Sequence, residues 1–193
     1  MKYLIIFLTI SFFSACNGQS DKEESKVNSV SEKKNETEKD SWKIVIPPTN
    51  EPGDQLIVSG IVYARDGKTI KEGITVHVYH TDMYGYYSRN GDNESRHRLN
   101  GDMITNSDGK YEFRTIKPEA YTSGNIPAHI HFIISSKDIP EQQFELLFEG
   151  DPSISERTKQ QAKEKDAFFQ IRPLMLEKDG ILRCNFNITL RDE

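Results

Sequence analysis

The sequence predicts an all-β fold, a β-sandwich with one short helical segment towards the C-terminus. Short stretches of alternating apolar and polar residues recur at near-regular spacing, and turn residues such as Asp108-Gly109 separate them. Strands of this kind are typical of two packed sheets. One later stretch, residues 153–169, instead favours a helix, with Ser153 or Ser155 as its N-cap.

The predicted strands begin after residue 54 and divide their side chains between two faces. In the first strand Gly60 marks a possible bulge. In the second strand Ile74, Val76 and Val78 alternate with polar residues and therefore lie on one face. The predicted strands span residues 55–65, 74–80, 106–116, 128–135, 144–148 and 181–190.

The N-terminus carries the pattern of an export signal, residues 1–16. Lys2 precedes an apolar core, residues 3–13, that is too short for a stable transmembrane helix. Ser14 and Ala15 stand directly before Cys16, which resembles a bacterial lipobox in which that cysteine is lipidated. This predicts an exported lipoprotein held to a membrane by its lipid anchor, on the periplasmic or cell-surface side, with the outer membrane favoured. The alternative is an ordinary secretory signal with Cys16 incidental.

A polar tether and a folded domain follow the signal. Residues 17–41 are charged in both signs and contain no aromatic residue, so they cannot bury enough apolar area to order themselves. Residues 42–193 carry the strand patterns and form the predicted domain. The chain has a formal net charge of −5 and no basic stripe with interleaved aromatics, which argues against nucleic acid as a partner.

Cys184 is predicted to be a buried structural thiol. It lies on the apolar face of the last predicted strand, where a free cysteine packs as a small hydrophobic residue. If Cys16 is acylated, Cys184 has no partner and the chain forms no disulfide.

Two histidines interrupt an apolar strand at residues 128–135. Because side chains alternate along a strand, His129, His131 and Ile133 point to one side. The two imidazoles are then close enough to bind one metal ion, and imidazole suits zinc, copper, iron and nickel. The alternative is that both are polar positions facing solvent. The opposite face carries Ile130, Phe132 and Ile134.

Tyrosines cluster in two predicted loops upstream of these histidines. Tyr84, Tyr86 and Tyr87 lie in one loop and Tyr121 in the other. Two phenolates with two imidazoles would favour a hard trivalent ion, above all Fe(III). The alternative is that the tyrosines pack with their hydroxyl groups in water, which is their usual role.

At these residues the sequence resembles the intradiol ring-cleavage dioxygenases, and its protocatechuate 3,4-dioxygenase branch most. The likeness covers about residues 56–152, and its motifs include a glycine-x-tyrosine loop, PAHIH and FEGDP. The fold implied is the β-sandwich of that family. The matching stretches, in order, are residues 59–88, 104–121, 126–132 and 148–152.

The resemblance implies a non-haem Fe(III) enzyme whose metal ligands are Tyr87, Tyr121, His129 and His131. Tyr87 rather than Tyr86 occupies the tyrosine of the glycine-x-tyrosine motif, and Tyr87 and Tyr121 are also the implied catalytic residues. The implied substrates are a catechol-type small molecule and O2. The ring would open between its two hydroxylated carbons to give a muconate-type product.

Two positions depart from the family pattern. Ile126 stands where the family usually has an arginine before PAHIH, and Glu145 where a glutamine is common. The arginine is thought to stabilise charge on the substrate, so a replacement cation is of interest. Arg89, Arg96 and Arg98 could reach back from the loop after the first tyrosines, although solvated loop charges are the interpretation we favour.

Two other functions stay open from the sequence. The strands also resemble transthyretin-like domains, so the chain could be a non-catalytic module that binds a polysaccharide or protein at the cell surface. His129 and His131 could instead hold zinc with a carboxylate. Catechol, hydroxyquinol, protocatechuate and larger plant phenols all remain possible substrates.

Overall fold

The computed structural model describes residues 41–46, 50–88 and 97–191. The predicted export signal, Cys16 and nearly all of the predicted tether lie outside these residues, so those predictions stay predictions. Across the described ranges, no helix has the length and apolar character needed to cross a membrane.

Two β-sheets pack face to face, which confirms the predicted sandwich. One sheet has the order β1-β5-β2-β10-β9, with β11 also paired to β2, and the other has the order β4-β3-β6-β7-β8. The strands are β1 (Lys43–Val45), β2 (Gln55–Tyr63), β3 (Thr75–His80), β4 (Leu99–Ile104), β5 (Lys110–Ile116), β6 (His129–Ser136), β7 (Ile139–Phe148), β8 (Phe169–Arg172), β9 (Met175–Leu176), β10 (Leu182–Asn185) and β11 (Ile188–Thr189).

The core lies between the sheets and is built from the alternating apolar faces. In β6 the residues Ile130, Phe132 and Ile134 are fully buried against the other sheet. The alternation predicted for this strand is therefore confirmed, and His129 and His131 lie on its outer face, away from the main core. Because one face of β6 is fixed by core burial, the outward direction of the two histidines is fixed as well.

Gly60 does not form a bulge, contrary to the sequence prediction. The pairing of β2 with β5 runs in continuous register from Gln55 to Ile61. The glycine is needed because any side chain there would overlap the carbonyl oxygen of Phe186. The buried hydroxyl of Tyr111 donates a hydrogen bond to that same carbonyl, so β5, β2 and the segment between β10 and β11 of this one sheet meet at this point.

The predicted helix is present but shorter than residues 153–169. Helix α1 spans Glu156–Gln161, and the Ser155 hydroxyl accepts a hydrogen bond from the Thr158 N–H at 3.1 Å, which confirms Ser155 as the N-cap. The prediction was wrong at the far end, because Phe169 begins β8 and pairs in parallel with β7. Tertiary pairing overrides local helix propensity there.

The predicted strand at residues 181–190 is split into β10 and β11, and both segments pair in parallel with β2. Cys184 is 2% exposed, which confirms the predicted buried thiol. Burial raises the pKa of this thiol to about 11, so it is inert at neutral pH.

Candidate metal centre

Two tyrosine hydroxyl oxygens and two histidine ring nitrogens converge at one end of the outer face of β6. The Tyr87 and Tyr121 hydroxyl oxygens lie 2.5 Å apart. The Nε2 atoms of His129 and His131 are 2.9 Å apart. The Tyr121 oxygen lies 3.1 Å from Nε2 of His129 and 3.3 Å from Nε2 of His131, and the Tyr87 oxygen lies 3.1 Å from Nε2 of His131. The structure thus brings together the four side chains that the resemblance implies as ligands.

The start of β6 fixes the orientation of His129. Nδ1 of His129 lies 2.7 Å from the Pro127 carbonyl oxygen, which can only accept a hydrogen bond. This contact places the proton on Nδ1 and leaves the Nε2 lone pair free to face the centre. Asp151 of the FEGDP segment holds the same backbone, because its Oδ2 accepts a hydrogen bond from the Ala128 N–H at 2.9 Å.

Asp82 shapes the loop that carries Tyr87. Its buried carboxylate accepts hydrogen bonds from the N–H groups of Tyr84 and Tyr86 at 2.9 and 3.0 Å. Between them Gly85 has φ +81° and lies against the carbonyl of Ala120, one residue before Tyr121. The loops of the two tyrosines are therefore packed directly against each other.

Arg98 is neither a solvated loop charge nor a cation directed at the centre. The two terminal nitrogens of its guanidinium donate hydrogen bonds to the two carboxylate oxygens of Glu51, at 2.6 and 2.7 Å. One of them also lies 3.5 Å from the Asp82 carboxylate. Its backbone N–H donates to the Tyr87 carbonyl at 3.0 Å. The interpretation of Arg98 as a solvated charge was wrong, while Arg89 and Arg96 lie outside the described residues.

A row of three side chains crosses the sheet through His131. Tyr79 of β3 and Glu145 of β7 are the direct cross-strand partners of His131. The Tyr79 ring stacks on the His131 ring with centroids 4.5 Å apart, and His97 stacks on the other face of Tyr79 at 3.9 Å. The Glu145 Oε1 atom lies 3.4 Å from Nδ1 of His131.

Sequence reasoning missed the contributions of Tyr79, His97 and Glu145. Glu145 drew attention only as a departure from a family pattern. The residues adjacent to His131 follow from the pairing of β6 with its two neighbours, which the alternation of one strand does not specify.

Burial keeps the two phenols and the His131 imidazole neutral at neutral pH. Desolvation, with the repulsion of neighbouring histidines, lowers the pKa of His131 to about 3. Burial likewise raises the pKa of the Tyr87 and Tyr121 hydroxyls, and for Tyr87 the hydrogen bond with Tyr121 adds to the effect. Burial also raises the pKa of the Glu145 carboxyl. A bound cation would therefore have to displace the phenol protons.

The donor set suits a hard trivalent ion better than zinc held by a carboxylate. His129, His131 and Glu145 do form a group whose ligand atoms lie within 4.8 Å of one another. However, Glu145 contacts Nδ1 of His131, on the ring edge away from the Nε2 atom that meets both phenols. Two imidazole nitrogens and two phenol oxygens are thus the convergent donors, and phenolate oxygen is a known ligand of ferric iron.

Two cavities of the described residues lie away from these four atoms. One of about 870 Å³ opens between α1 and β8. The other, about 410 Å³, is lined by Tyr84, Tyr86 and Arg98. None of the four converging rings lines either cavity, so the candidate centre is identified by its donor atoms and not by a cavity.

Comparisons with known proteins point to one family. A family model described as "Dioxygenase" matches residues 30–191. Catechol 1,2-dioxygenase 1 of Acinetobacter lwoffii is 35% identical over 130 residues, 58% of this chain and 41% of that protein. The protocatechuate 3,4-dioxygenase beta chain of Burkholderia cepacia is 29% identical over 114 residues, 53% of this chain and 48% of that one. The chain thus spans about two fifths to one half of the length of these relatives.

Solved structures agree in fold. The dioxygenase domain of a dioxygenase and carbohydrate-binding protein fusion from Streptomyces sp. SirexAA-E matches with a TM-score of 0.60 at 21% identity, over 77% of this chain and 87% of that domain. Catechol 1,2-dioxygenase from Pseudomonas arvilla C-1 matches with a TM-score of 0.61 at 21% identity, over 77% of this chain and 56% of that enzyme. At this identity the likeness shows a shared fold and nothing finer.

Proposed function

The chain belongs to the intradiol ring-cleavage dioxygenase family, and from that premise we propose that it is an Fe(III)-dependent enzyme acting on a catechol-type aromatic with O2. The reaction would open the ring between the two hydroxylated carbons and give a muconate-type product. The observation that carries the proposal is the convergence of two phenol oxygens and two imidazole nitrogens, with separations of 2.5 to 3.3 Å. A non-catalytic binding module has no need of this arrangement.

Each residue of the centre has a distinct role in the proposal. His129 and His131 would present neutral Nε2 atoms to the metal, and Tyr87 and Tyr121 would bind as phenolates. Bound ferric iron would supply the redox chemistry that makes a chelated catecholate reactive towards O2. The Tyr87 and Tyr121 oxygens lie 2.5 Å apart at the centre. As a phenolate, either oxygen would be able to accept a proton from an incoming catechol hydroxyl.

The surrounding residues would keep this geometry fixed while substrate binds. The Asp82 carboxylate and the Arg98 backbone hold the loop of Tyr87, and the Pro127 carbonyl holds His129. Such preorganised support is what lets a metal site retain its ligand directions. Lipidation at Cys16, and with it the predicted anchoring to a membrane, remains part of the proposal.

The first experiment is a visible spectrum of the chain without residues 1–16 after loading with Fe(III). Tyrosinate bound to ferric iron gives a charge-transfer band, and we expect Tyr87→Phe and Tyr121→Phe each to abolish or strongly shift it. Tyr84→Phe is the matched control, because Tyr84 lies in the same loop but is 60% exposed. Catechol should then shift the band and be consumed with O2. A protein that binds iron without such a band would overturn the proposal and favour the binding-module alternative.

A further inference from the structure

We propose that Glu145 is a positioning residue for the metal centre, acting through His131 to fix its tautomer and to add negative charge behind it. The inference rests on the proposed function only in so far as His131 binds the metal. Glu145 does not itself reach the convergent donor atoms, since its carboxylate faces the opposite edge of the imidazole.

The position of Glu145 follows from strand register. His131 pairs directly with Glu145 across β6 and β7, so both side chains emerge on the same outer face. The Oε1 atom lies 3.4 Å from Nδ1 of His131, and Glu145 is only 27% exposed at its side chain. A partly desolvated carboxylate at this distance interacts more strongly with a neighbouring charge than one in open water does.

The two imidazoles of the centre therefore have different supports. Nδ1 of His129 hydrogen-bonds to a neutral carbonyl oxygen, that of Pro127, at 2.7 Å, whereas Nδ1 of His131 has a carboxylate oxygen of Glu145 beside it at 3.4 Å. The carboxylate cannot donate, so it favours the tautomer with hydrogen on Nδ1 and leaves Nε2 free for a metal. Binding of a cation at Nε2 makes the Nδ1–H more positive and so strengthens its attraction to Glu145.

Tyr79 completes the support of this ring. It stacks on the His131 face with an interplanar angle of 15°, while Glu145 contacts the ring edge. Face and edge contacts together leave the imidazole little freedom to rotate. Carboxylate–histidine–metal arrangements of this kind raise the basicity of the ligand, and loss of such a partner typically lowers metal affinity about 10–100-fold.

The test compares Glu145→Gln with Glu141→Gln, both loaded with Fe(III). Glu141 lies on the same strand and is exposed. Burial raises the pKa of Tyr79, and the charge of Glu141, like that of Glu145, raises it further, so the Glu141 variant also removes one negative charge near this face. We expect Glu145→Gln to lower Fe(III) affinity about 10-fold or more, measured by chelator competition. The phenolate-to-iron band should also move to longer wavelength, because less negative charge makes the iron easier to reduce. Glu141→Gln should change neither quantity.

The outcomes separate the two proposals. If Glu145→Gln behaves as Glu141→Gln does in both affinity and band position, the role of Glu145 is overturned while the metal centre stands. If the wild-type protein binds Fe(III) without a phenolate band, the proposed function fails, yet the affinity comparison still decides the role of Glu145. A protein that binds no trivalent metal overturns both.

A second measurement needs no variant and covers the case of a Glu145→Gln protein that does not fold. Gallium(III) is a diamagnetic trivalent probe, so the loaded wild-type protein is suited to NMR. We expect an Nδ1–H resonance of His131, protected from exchange and close in space to the Glu145 side chain. A His131 ring protonated on Nε2, or an Nδ1–H without proximity to Glu145, would overturn the inference.

Discussion

The two phenols of the candidate centre lose their protons less readily than surface tyrosines do. Burial raises the pKa of both Tyr87 and Tyr121, while burial lowers the pKa of His131 to about 3. The imidazole is therefore already neutral at pH 7, whereas the phenols hold their protons. Metal binding to such a set is coupled to proton release, and the released protons come from the tyrosines.

Tyr87→Phe should release one proton fewer than the wild-type protein on loading with Fe(III) at neutral pH. The physical reason is that phenylalanine has no hydroxyl proton for the cation to displace. The measurement is base consumption in weakly buffered solution at constant pH, with Tyr84→Phe as control. Equal proton release from Tyr87→Phe and wild type would show that Tyr87 does not bind as a phenolate.

At the residue scale, the sequence was sufficient to predict the four candidate ligands but not the residues that contact them. The choice of Tyr87 over Tyr86 came from the resemblance, and the structure places Tyr87 beside Tyr121 and Tyr86 at a separate cavity. Glu145 and Tyr79 could not be assigned, because their contacts with His131 depend on which strands pair and in what register.

At the scale of elements, the centre depends on the contact between two loops. The loop of Tyr87 turns at Gly85, whose φ of +81° places it in the left-handed region and whose Cα faces the Ala120 carbonyl. A turn glycine could be predicted from the sequence, but its close approach to a loop about 35 residues later could not. Likewise β4 was not predicted, since LNGDMI lacks a clear apolar alternation.

Gly85→Ala should cost more stability than Gly67→Ala and should also weaken metal binding. Both glycines have left-handed φ, but Gly67 has open space around it, whereas a Cβ at Gly85 would overlap the Ala120 carbonyl. We expect about 1–2 kcal/mol for Gly67→Ala from backbone strain alone. Gly85→Ala should lose a further ~1–3 kcal/mol from the steric overlap.

Chemical denaturation of both variants and their Fe(III) affinities provide the comparison. The displaced loops in Gly85→Ala should lower affinity, while Gly67→Ala should bind as the wild type does. Equal affinities in the two variants would mean that loop packing does not hold the tyrosines in place.

At the scale of the whole molecule, a buried histidine joins the two sheets. Nε2 of His80 on β3 lies 2.7 Å from the Thr115 hydroxyl on β5, and its Nδ1 lies 2.7 Å from the Thr81 carbonyl oxygen. The ring is 1% exposed. The sandwich itself was predictable from strand alternation, but the strand order and this polar link inside it were not, because both depend on long-range pairing.

Stability should fall as pH drops from about 6.5 to about 4, because desolvation lowers the pKa of His80 from 6.5 to about 4 in the folded state. Within this window the unfolded chain binds more protons than the folded one, so unfolding becomes easier as acid is added. The pKa shift of His80 corresponds to as much as ~3 kcal/mol of the free energy of unfolding. This stability is fully present above pH 6.5 and is lost as the pH falls towards 4.

Urea unfolding of the wild-type protein and of His80→Gln, both free of metal and at several pH values, tests this prediction. His80→Gln is expected to be less stable at pH 7 but to lose less stability than wild type on acidification, since one titrating group is gone. Parallel pH profiles of the two proteins would show that another group accounts for the acid sensitivity.

The alternation of side chains along β6 limits which insertions and deletions this strand can accept in evolution. The same strand buries Ile130, Phe132 and Ile134 on one side and presents His129 and His131 on the other. Insertion or deletion of one codon within it would exchange the two sides for every residue beyond that point. Such a lesion between His129 and His131 would turn one histidine towards the core and core residues outward, so the packing and the centre would be lost together. Changes in chain length are therefore disfavoured in this part of the strand, whereas near its end the pairing with β7 already contains a register shift, between Ile134 and Ser136.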